Sequence, residues 1–499
     1  MIVKKRSKFN LSHHKLLTGK MGELIPIGCV EALPGDTFRH ATSALVRTSP
    51  LNAPVMHPVD IRIHHFFVPT RLIWDDFEDF ITGGEDGDDS SVFPTITLTT
   101  TTGAEGTLAD YLGCPTVETG TLEVSALPLR AYHLIYNEFY RDQDLIDKVG
   151  ISTASGTDSV TSTYLKNISW EKDYFTSSRP WTQKGTELNV PIGDSAPVGY
   201  VNNNTTGWKV RNASDGSLNT SSNKYLTING TTSEIYPNAE GSTKLQLDPQ
   251  GNLEADLASA TGVSVNDLRL TIALQRMQEA RARFGSRYTE YLQYLGVTPQ
   301  DSRLQRPEYL GGGRQTIQFS EVLQTAEGTD PVGEMKGHGL GAMRTNKYQR
   351  FVPEHGFIIS LMSVRPKTMY MQGLPRMWNK RTKEEFFQKE LQCIGQQVVK
   401  NKEVYAAHSS PDETFGYQDR YDEYRRQEST ISGEFRSTLN HWHMARDFSS
   451  DPALNNTFVD CTPTNRIFAD TSNDHLWVMV NHSMVARRLL DKYATNKVL

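Results

Sequence analysis

Residues Arg287 to Gly313 read RYTEYLQYLGVTPQDSRLQRPEYLGGG. The spacing of tyrosine and leucine in the first part predicts a helix, and Gly296 is placed to end it. A long polar loop with prolines and arginines follows. None of the common catalytic motifs has this form, so the segment does not indicate an enzyme.

Five further segments have distinctive sequences and follow one another in a fixed order. They are Ser49 to Gly84 (SPLNAPVMHPVDIRIHHFFVPTRLIWDDFEDFITGG), Leu127 to Leu145 (LPLRAYHLIYNEFYRDQDL), Asp173 to Gly185 (DYFTSSRPWTQKG), Gly337 to Pro353 (GHGLGAMRTNKYQRFVP) and Pro366 to Asn379 (PKTMYMQGLPRMWN). Together with the first segment, they closely resemble the major capsid protein of microviruses, small icosahedral bacteriophages with single-stranded DNA, and specifically of the gokushovirus branch. Similarity at so many ordered places is improbable by chance.

The resemblance implies both a fold and a function. The fold is mainly β, an eight-stranded antiparallel viral jelly roll with long inserted loops and a few helices. The function is that of a structural major capsid protein, which self-assembles into a small icosahedral shell with one subunit per asymmetric unit and encloses a circular single-stranded DNA genome. The implied partners are an internal scaffolding protein, a minor DNA pilot protein and a host cell-surface receptor. The implied location is the virion, with assembly in the bacterial cytoplasm.

Composition is compatible with this interpretation. The 499 residues, 37% of them hydrophobic, can bury a large core, and a β-sandwich with long insertions can remain one domain at this length. No apolar run reaches the roughly 18 residues that cross a bilayer, and the basic amino terminus lacks the apolar stretch of a secretory signal, so we expect a soluble, unexported chain. Four widely separated cysteines indicate neither a disulfide framework nor a zinc site.

Charge is unevenly distributed along the chain. Residues 1–22 contain six Lys or Arg residues and no Asp or Glu, which gives this segment a net charge of +6. Because the whole chain has a net charge of −6, the remaining residues have a net charge of −12. The six are Lys4, Lys5, Arg6, Lys8, Lys15 and Lys20, with Arg487, Arg488, Lys492 and Lys497 as further candidates near the carboxyl terminus. Such asymmetry is typical of an arm that contacts nucleic acid, and a solvated terminus that binds nothing is the alternative.

Local patterns predict several elements. Val59, Ile61 and Ile63 alternate with polar residues as in a strand, and Gly356 to Val364 is apolar enough for a strand covered on both faces. His475 to Val485 and, more loosely, Pro452 to Phe468 are further strand candidates. Helices are expected after Pro128 and from about Asn266, the second one kinked or divided at Gly285.

The predicted domains are a basic arm and lead-in at residues 1–40, a jelly-roll domain at 41–184 and 257–499, and an insertion at 185–256. The insertion is rich in Asn, Thr, Ser and Gly, and it resembles the one that builds the threefold protrusions of gokushoviruses. Residues 207–210 and 224–228 are candidates for small strands, and a mobile surface loop is the alternative. The candidate host-contact residues are Asn202, Asn203, Asn204, Trp208, Asn219 and Tyr225.

A search for catalysis gives no convincing site. Gly337, Gly339 and Ala342 fit a loose dinucleotide fingerprint without the strand that must precede it, and the glycines at 311–313 are expected to form a turn. His441 and His443 would share one face of a strand and bind a metal only with a third donor. The sequence therefore predicts no catalytic residue, no metal and no cofactor.

Two other classes of protein are alternatives. A bacterial carbohydrate-binding or adhesin-like β-sandwich would share the polar loops and could recognise glycans through Trp170, Trp181 or Trp208. A glycoside hydrolase would need two carboxylates facing each other across a cleft, and the spacing of the 58 acidic residues singles out no such pair.

Overall fold

The structure is a computed structural model that describes residues 6–86, 88–186, 188, 265–285, 287–298, 300–301, 305–325 and 332–492, together with six short strands between residues 198 and 255. The chain divides into two compact units. The first comprises Met1–Thr182 and Ala282–Leu499, and the second comprises Gln183–Arg281.

The strands follow one another along the whole chain. The first unit begins with β1 (Ser7–Asn10), β2 (His13–Gly19), β3 (Ile25–Ala32), β4 (Thr37–Thr48), β5 (Val59–Pro69), β6 (Thr95–Leu98) and β7 (Leu122–Ser125). The second unit contains β8 (Val198–Tyr200), β9 (Val210–Asn212), β10 (Leu226–Ile228), β11 (Ile235–Pro237), β12 (Leu245–Leu247) and β13 (Leu253–Ala255). The first unit continues with β14 (Glu308–Leu323), β15 (Met335–Arg344), β16 (Tyr348–Phe351), β17 (Gly356–Pro366), β18 (Gln396–Lys400), β19 (Thr414–Asp419) and β20 (Leu476–Arg488).

The helices are short, with one exception. They are α1 (Phe77–Thr82), α2 (Leu108–Leu112), α3 (Leu127–Ile135), α4 (Val265–Phe284), α5 (Tyr288–Tyr294), α6 (Asn401–Val404) and α7 (Asn456–Val459). A π-helical turn at Tyr136–Tyr140 continues α3. Short 3-10 helices lie at Thr70–Leu72, Arg376–Trp378, Lys383–Glu385, Lys389–Cys393, Asp422–Tyr424, Gly433–Arg436 and Asn440–Trp442.

The long strands of the first unit form one curled antiparallel sheet. Its order is β1-β20-β4-β15-β14-β5-β17-β3, with β2 also beside β20 and β16 beside β4. Residues 308–317 of β14 pair with β5, whereas residues 318–323 pair with β15, so β14 belongs to both halves of the sheet. Side chains from both halves share a core, as in a sandwich. The predicted mainly β, jelly-roll type of fold with few helices is confirmed.

Two apolar layers explain the most hydrophobic strands. Ile61 of β5, Val364 of β17 and Val478 of β20 lie in the core between the two halves of the sheet. Phe66 of β5 and Leu361 of β17 point the other way, into a second core that α3 and its neighbouring loops cover. The prediction that residues 356–364 form a strand covered on both faces is therefore confirmed.

Several local predictions are confirmed. The alternating segment from Val59 forms β5, the segment from His475 forms β20 from Leu476 onward, and α3 contains Pro128 in its first turn. Gly285 separates α4 from α5, with φ of +95°. That backbone conformation favours glycine, because a Cβ would be strained there.

Three local predictions are wrong. Pro452 to Phe468 forms loops and the short helix α7 instead of a strand. The glycines at 311–313 lie inside β14, where Gly311 has φ of +139° at a β-bulge, so they mark a distorted strand and not a turn. His441 lies in a 3-10 helix, and His443 donates from Nε2 to the carbonyl of Phe435 at 2.8 Å, so the two do not share a strand face.

The second unit contains three short antiparallel pairs. They are β8 with β13, β9 with β12 and β10 with β11, so that each pair is nested inside the previous one along the sequence. Strands β9 and β10 overlap the two small strands expected near residues 207–210 and 224–228.

Four histidines from four strands meet inside the first unit. Nε2 of His40 lies 3.0 Å from Nδ1 of His482, which donates from Nε2 to the carbonyl of Ile27 at 3.0 Å. The ring of His65 lies 4.7 Å from that of His40, and the ring of His13 stacks on His482 at 4.7 Å. Burial, with help from the neighbouring imidazoles, lowers the pKa of His40 to about 3 and that of His482 to about 4.

We expect acid to destabilise the subunit through this cluster. The unfolded chain takes up protons near pH 6.5, but folded His40 and His482 take them up only near pH 3 and pH 4. The stabilisation is therefore complete above pH 6.5 and falls toward pH 4 by up to about 1.4 kcal/mol per pH unit for each histidine. Denaturant unfolding of the unassembled chain at several pH values gives the free energy of unfolding as a function of pH. This free energy should fall less steeply with acid in H40Q/H482Q than in the parent. The control His338→Gln, at an exposed position, should behave like the parent. A double variant as pH-sensitive as the parent would contradict this assignment.

Candidate assembly surfaces and nucleic-acid face

The first three of the six cations predicted to contact nucleic acid lie at or before the start of the described chain. Lys4 and Lys5 lie outside the described residues. Arg6 precedes β1, where its Nη1 donates to Oγ1 of Thr37 at 3.3 Å and its guanidinium lies 5.0 Å from the ring centroid of Phe351. The segment that follows it is the edge of the sheet, because β1 and β2 both pair with β20.

The other three cations have different environments. Lys8 and Lys20 are exposed. Lys15 is half-buried, and its Nζ donates to the carbonyls of Pro26, at 3.3 Å, and of Tyr111. Burial lowers the pKa of Lys15. Because Lys15 already donates to two backbone carbonyls of its own chain, the described cations among the six do not form a single patch.

The strand register places three other cations on the same sheet face as Lys8. On the outward face of the sheet, Lys8 is the register partner of Arg487. Arg39 lies on the adjoining strand β4, where it pairs with Val485, the outward residue of β20 next to Arg487. Arg344 is the last residue of β15 and lies further along the same face, where it pairs with Ser43 of β4. All four are exposed and none forms an ion pair with another described residue. We call Lys8, Arg39, Arg344 and Arg487 the basic end of the outer sheet face.

Sequence reasoning identified Lys8 and Arg487 but missed Arg39 and Arg344. Both lie at outward positions of strands whose inward residues are apolar, a signal that alternation can provide. That they share a sheet face with Lys8 depends on pairings between segments hundreds of residues apart, which alternation does not give.

The other end of the same face is largely apolar. Leu16 is the register partner of Met479, which in turn pairs with Leu45, and the next row contains Trp477 and Leu340 on either side of the exposed Arg47. Leu16 is 78% exposed and Trp477 is 48% exposed. We call the five apolar residues the apolar end of the outer sheet face. A group of exposed apolar side chains rimmed by polar residues is typical of a contact surface.

Two more surfaces of the first unit expose large apolar side chains. The loop surface consists of Met377, Trp378, Phe386, Phe387 and Ile394, and the helix surface consists of Phe284, Tyr288, Tyr291, Tyr294 and Leu295. Each of these ten side chains is about half exposed or more.

Internal contacts fix the shape of the loop surface. The Tyr421 hydroxyl lies 3.0 Å from the carbonyl oxygen of Glu384 and 2.9 Å from that of Phe386. The ammonium of Lys380 lies 4.0 Å from the ring centroid of Tyr424. The apolar side chains are therefore presented by an ordered loop, which lowers the entropy that a partner must remove on binding.

Three features of the described residues bear on other classes of function. No group of three or more His, Cys, Asp or Glu side chains among them is arranged to hold a metal ion. None of the described helices has both the length and the apolar character that crossing a bilayer demands. Trp170, a candidate glycan contact, is only 4% exposed. The candidate host contacts Asn202, Asn203, Asn204, Trp208, Asn219 and Tyr225 lie outside the described residues.

Comparison with known proteins gives a consistent result. A family model described as "Capsid protein (F protein)" matches residues 2–497. Capsid protein VP1 of Bdellovibrio phage phiMH2K is 38% identical over 489 residues, covering 94% of this chain and 91% of the relative. Capsid protein VP1 of Chlamydia phage 1 is 33% identical over 544 residues, with 93% and 91% covered. Capsid protein VP1 of Spiroplasma virus 4 is 32% identical over 532 residues, with 98% and 95% covered.

Proposed function

Because the chain belongs to the family of phage capsid proteins (F proteins), we propose that its copies close into a small icosahedral shell around a circular single-stranded DNA genome, with one subunit per asymmetric unit. Membership of the family itself makes the chain a structural protein of the virion that forms a homo-oligomeric shell, and not an enzyme. The observation that best supports the finer proposal is the amount of ordered apolar surface that one copy leaves uncovered.

A second copy of the chain is the proposed occupant of the loop surface and the helix surface. A closed shell requires heterologous contacts around its fivefold and threefold axes and isologous contacts across its twofold axes. Obligate interfaces of this kind bury more than about 2,000 Å² and are rich in aromatic residues and methionine. The two surfaces have that composition, since Trp, Met, Phe and Tyr make up eight of their ten side chains.

The basic end of the outer sheet face is the proposed contact with the packaged DNA, together with the amino-terminal cations. Lys8, Arg39, Arg344 and Arg487 offer four positive charges without a neighbouring carboxylate partner among the described residues. Contacts of this kind neutralise phosphates and do not depend on base sequence. On this proposal the outer sheet face lies toward the lumen of the shell.

The apolar end of that face would then also face inward during assembly. The internal scaffolding protein is its proposed partner, because the scaffold occupies the same side of the shell before the genome does. The resemblance also implies a minor DNA pilot protein, and assembly in the cytoplasm of the host bacterium.

The DNA contact has a measurable salt dependence. Each phosphate neutralised on a single strand contributes about −0.7 to the slope of log affinity against log salt concentration. Replacing Lys8, Arg39, Arg344 and Arg487 by serine should therefore make the slope less negative by about 3, measured on a single-stranded oligonucleotide. Lys383→Ser removes a cation whose side chain is 87% exposed on the loop segment and should leave the slope unchanged. A quadruple variant with the parental slope would exclude this face as the DNA contact.

The insertion at residues 185–256 is proposed to form surface protrusions at the threefold axes that contact the host receptor. Its composition and its nearly complete overlap with the second compact unit support this assignment. A phage in which a short Gly-Ser linker replaces residues 201–252 should still form particles but lose most of its adsorption to host cells, since the strand pairs within the insertion do not contribute to the sheet. Undiminished adsorption would show that the receptor contact lies elsewhere.

A further inference from the structure

A polar pocket of about 420 Å³ lies within the first unit against β5 and β17. Residues 139–144 and 168–172, together with Arg179, Arg287 and Glu290, form its other walls. Ile61 and Ile63 of β5 point into the core between the two halves of the sheet, so Arg62 between them points away from it and into the pocket. The pocket is therefore on the opposite side of the sandwich from the basic end of the outer sheet face.

Cations outnumber carboxylates in the lining of this pocket. Four carboxylates, Asp142, Asp144, Glu171 and Glu290, face six cations, Arg62, Arg141, Lys172, Arg179, Arg287 and Arg365.

Each of the four carboxylates already has a cationic partner. Glu171 pairs with Arg62 at 2.9 Å, and Asp142 pairs with Lys172. The remaining two pairs join Arg179 with Asp144 at 3.4 Å and Arg287 with Glu290 at 3.9 Å.

Arg141 and Arg365 are the two lining cations that belong to none of these four ion pairs. Nη1 of Arg141 donates to the carbonyl of Ile146 at 2.5 Å, and Nη1 of Arg365 donates to the carbonyl of Ser169 at 2.6 Å. Neither forms an ion pair with a carboxylate of the described residues. The Nε atoms of Arg62 and Arg141 are buried and have no hydrogen-bond acceptor in the described part of the chain.

These charges are held in an unfavourable environment. Burial lowers the pKa of Arg365, and the nearby charge of Arg62 lowers it further. Burial and the charge of Arg287 have the same effect on the pKa of Arg141. A guanidinium stays protonated under such conditions, so an unpaired positive charge remains at the site. An anion in the pocket would remove this cost.

We propose that this pocket binds a phosphate group, held between Arg141 and Arg365. Guanidinium groups match the oxygens of phosphate with paired hydrogen bonds, and both arginines line the pocket without a carboxylate partner among the described residues. The volume lies within the range of small-molecule sites, so the phosphate can be free or carried by a nucleotide. Because the pocket lies on the other side of the sandwich, this site is separate from the DNA contact proposed above.

The test is the thermal stability and calorimetric binding of the full chain with sodium phosphate, with a nucleoside monophosphate and with a single-stranded oligonucleotide, each matched in ionic strength with sodium chloride. Phosphate should raise the melting temperature above the chloride control. Arg141→Met and Arg365→Met should each weaken phosphate binding by about tenfold or more. Without phosphate, the melting temperature of either variant should change little, because losing a charge that has no ion pair offsets losing the hydrogen bond to Ile146 or Ser169. Lys347→Met, which removes an exposed cation elsewhere, is the matched control.

The outcomes separate the sources of the phosphate group. If the two variants lose binding of phosphate or of the mononucleotide but still bind the oligonucleotide, the ligand is a small free molecule. Loss of oligonucleotide binding as well identifies phosphates of the nucleic acid. The proposal would be overturned if phosphate changed the melting temperature of the parent chain no more than chloride does. It would also be overturned if Arg141→Met and Arg365→Met bound phosphate as tightly as Lys347→Met. If a methionine variant does not fold, the corresponding lysine variant retains the charge and should bind phosphate more weakly than the parent.

Discussion

Trp378→Asp is expected to weaken shell formation severely while leaving the subunit folded. Trp378 belongs to the loop surface and is 61% exposed, so its side chain contributes little to the core of its own subunit. In an interface between copies, a buried tryptophan is worth about 2–4 kcal/mol, and the aspartate would place an unpaired charge there. The protein concentration needed for assembly should rise by about 30-fold to 1,000-fold, measured by sedimentation of assembled particles.

A conservative variant separates interface loss from misfolding. Trp378→Phe retains an apolar aromatic ring and should assemble at close to the parental concentration. Both variants should keep the circular dichroism and melting temperature of the unassembled chain. If Trp378→Asp assembled like the parent, the loop surface would not be a contact between copies.

Arg130→Met is expected to cause the largest loss of stability among single substitutions of charged residues. Arg130 is fully buried, and its Nε donates to Asp158 at 2.7 Å, with both side chains 0% exposed. Its other nitrogens donate to the carbonyls of Ile73, at 2.9 Å, and Ala154, at 3.0 Å. Methionine would leave a buried carboxylate without its cation, which costs about 3–5 kcal/mol.

The matched control for Arg130→Met is Arg71→Met. Arg71 pairs with Glu354 at 2.6 Å, but the two side chains are 27% and 32% exposed. Solvent screens a pair of this kind, so the loss should be below about 1 kcal/mol. Denaturant unfolding of the unassembled chains compares the two variants directly. Equal losses for Arg130→Met and Arg71→Met would show that the buried pair contributes no more to stability than the partly exposed one.

Elements defined by local pattern could be predicted from the sequence. Alternation located β5, a continuous apolar run located β17, and the break at Gly285 follows from the freedom of glycine at positive φ. Such signals are confined to a few neighbouring residues. They failed at the glycines of β14, because a bulged strand and a turn use the same residue type.

The candidate sites depend on long-range pairing, which local pattern does not specify. Ser7 pairs with Arg488 from the opposite end of the chain, and only this register brings Lys8 to Arg487. Arg130 occupies a position in LPLRAYHL that would face solvent on an ordinary amphipathic helix. It is buried because α3 is enclosed on nearly all sides by the sheet and the surrounding loops. Resemblance to a family supplied the assembly function, which composition alone did not suggest.

The measurement that tests the account most directly is a cryo-electron microscopy map of particles purified from the host, at a resolution that shows side chains. We expect a closed icosahedral shell in which this chain is the repeating subunit, with the loop and helix surfaces buried between copies and the basic end of the outer sheet face toward the DNA. A shell that leaves both surfaces open to solvent, or that turns the basic end outward, would contradict the account.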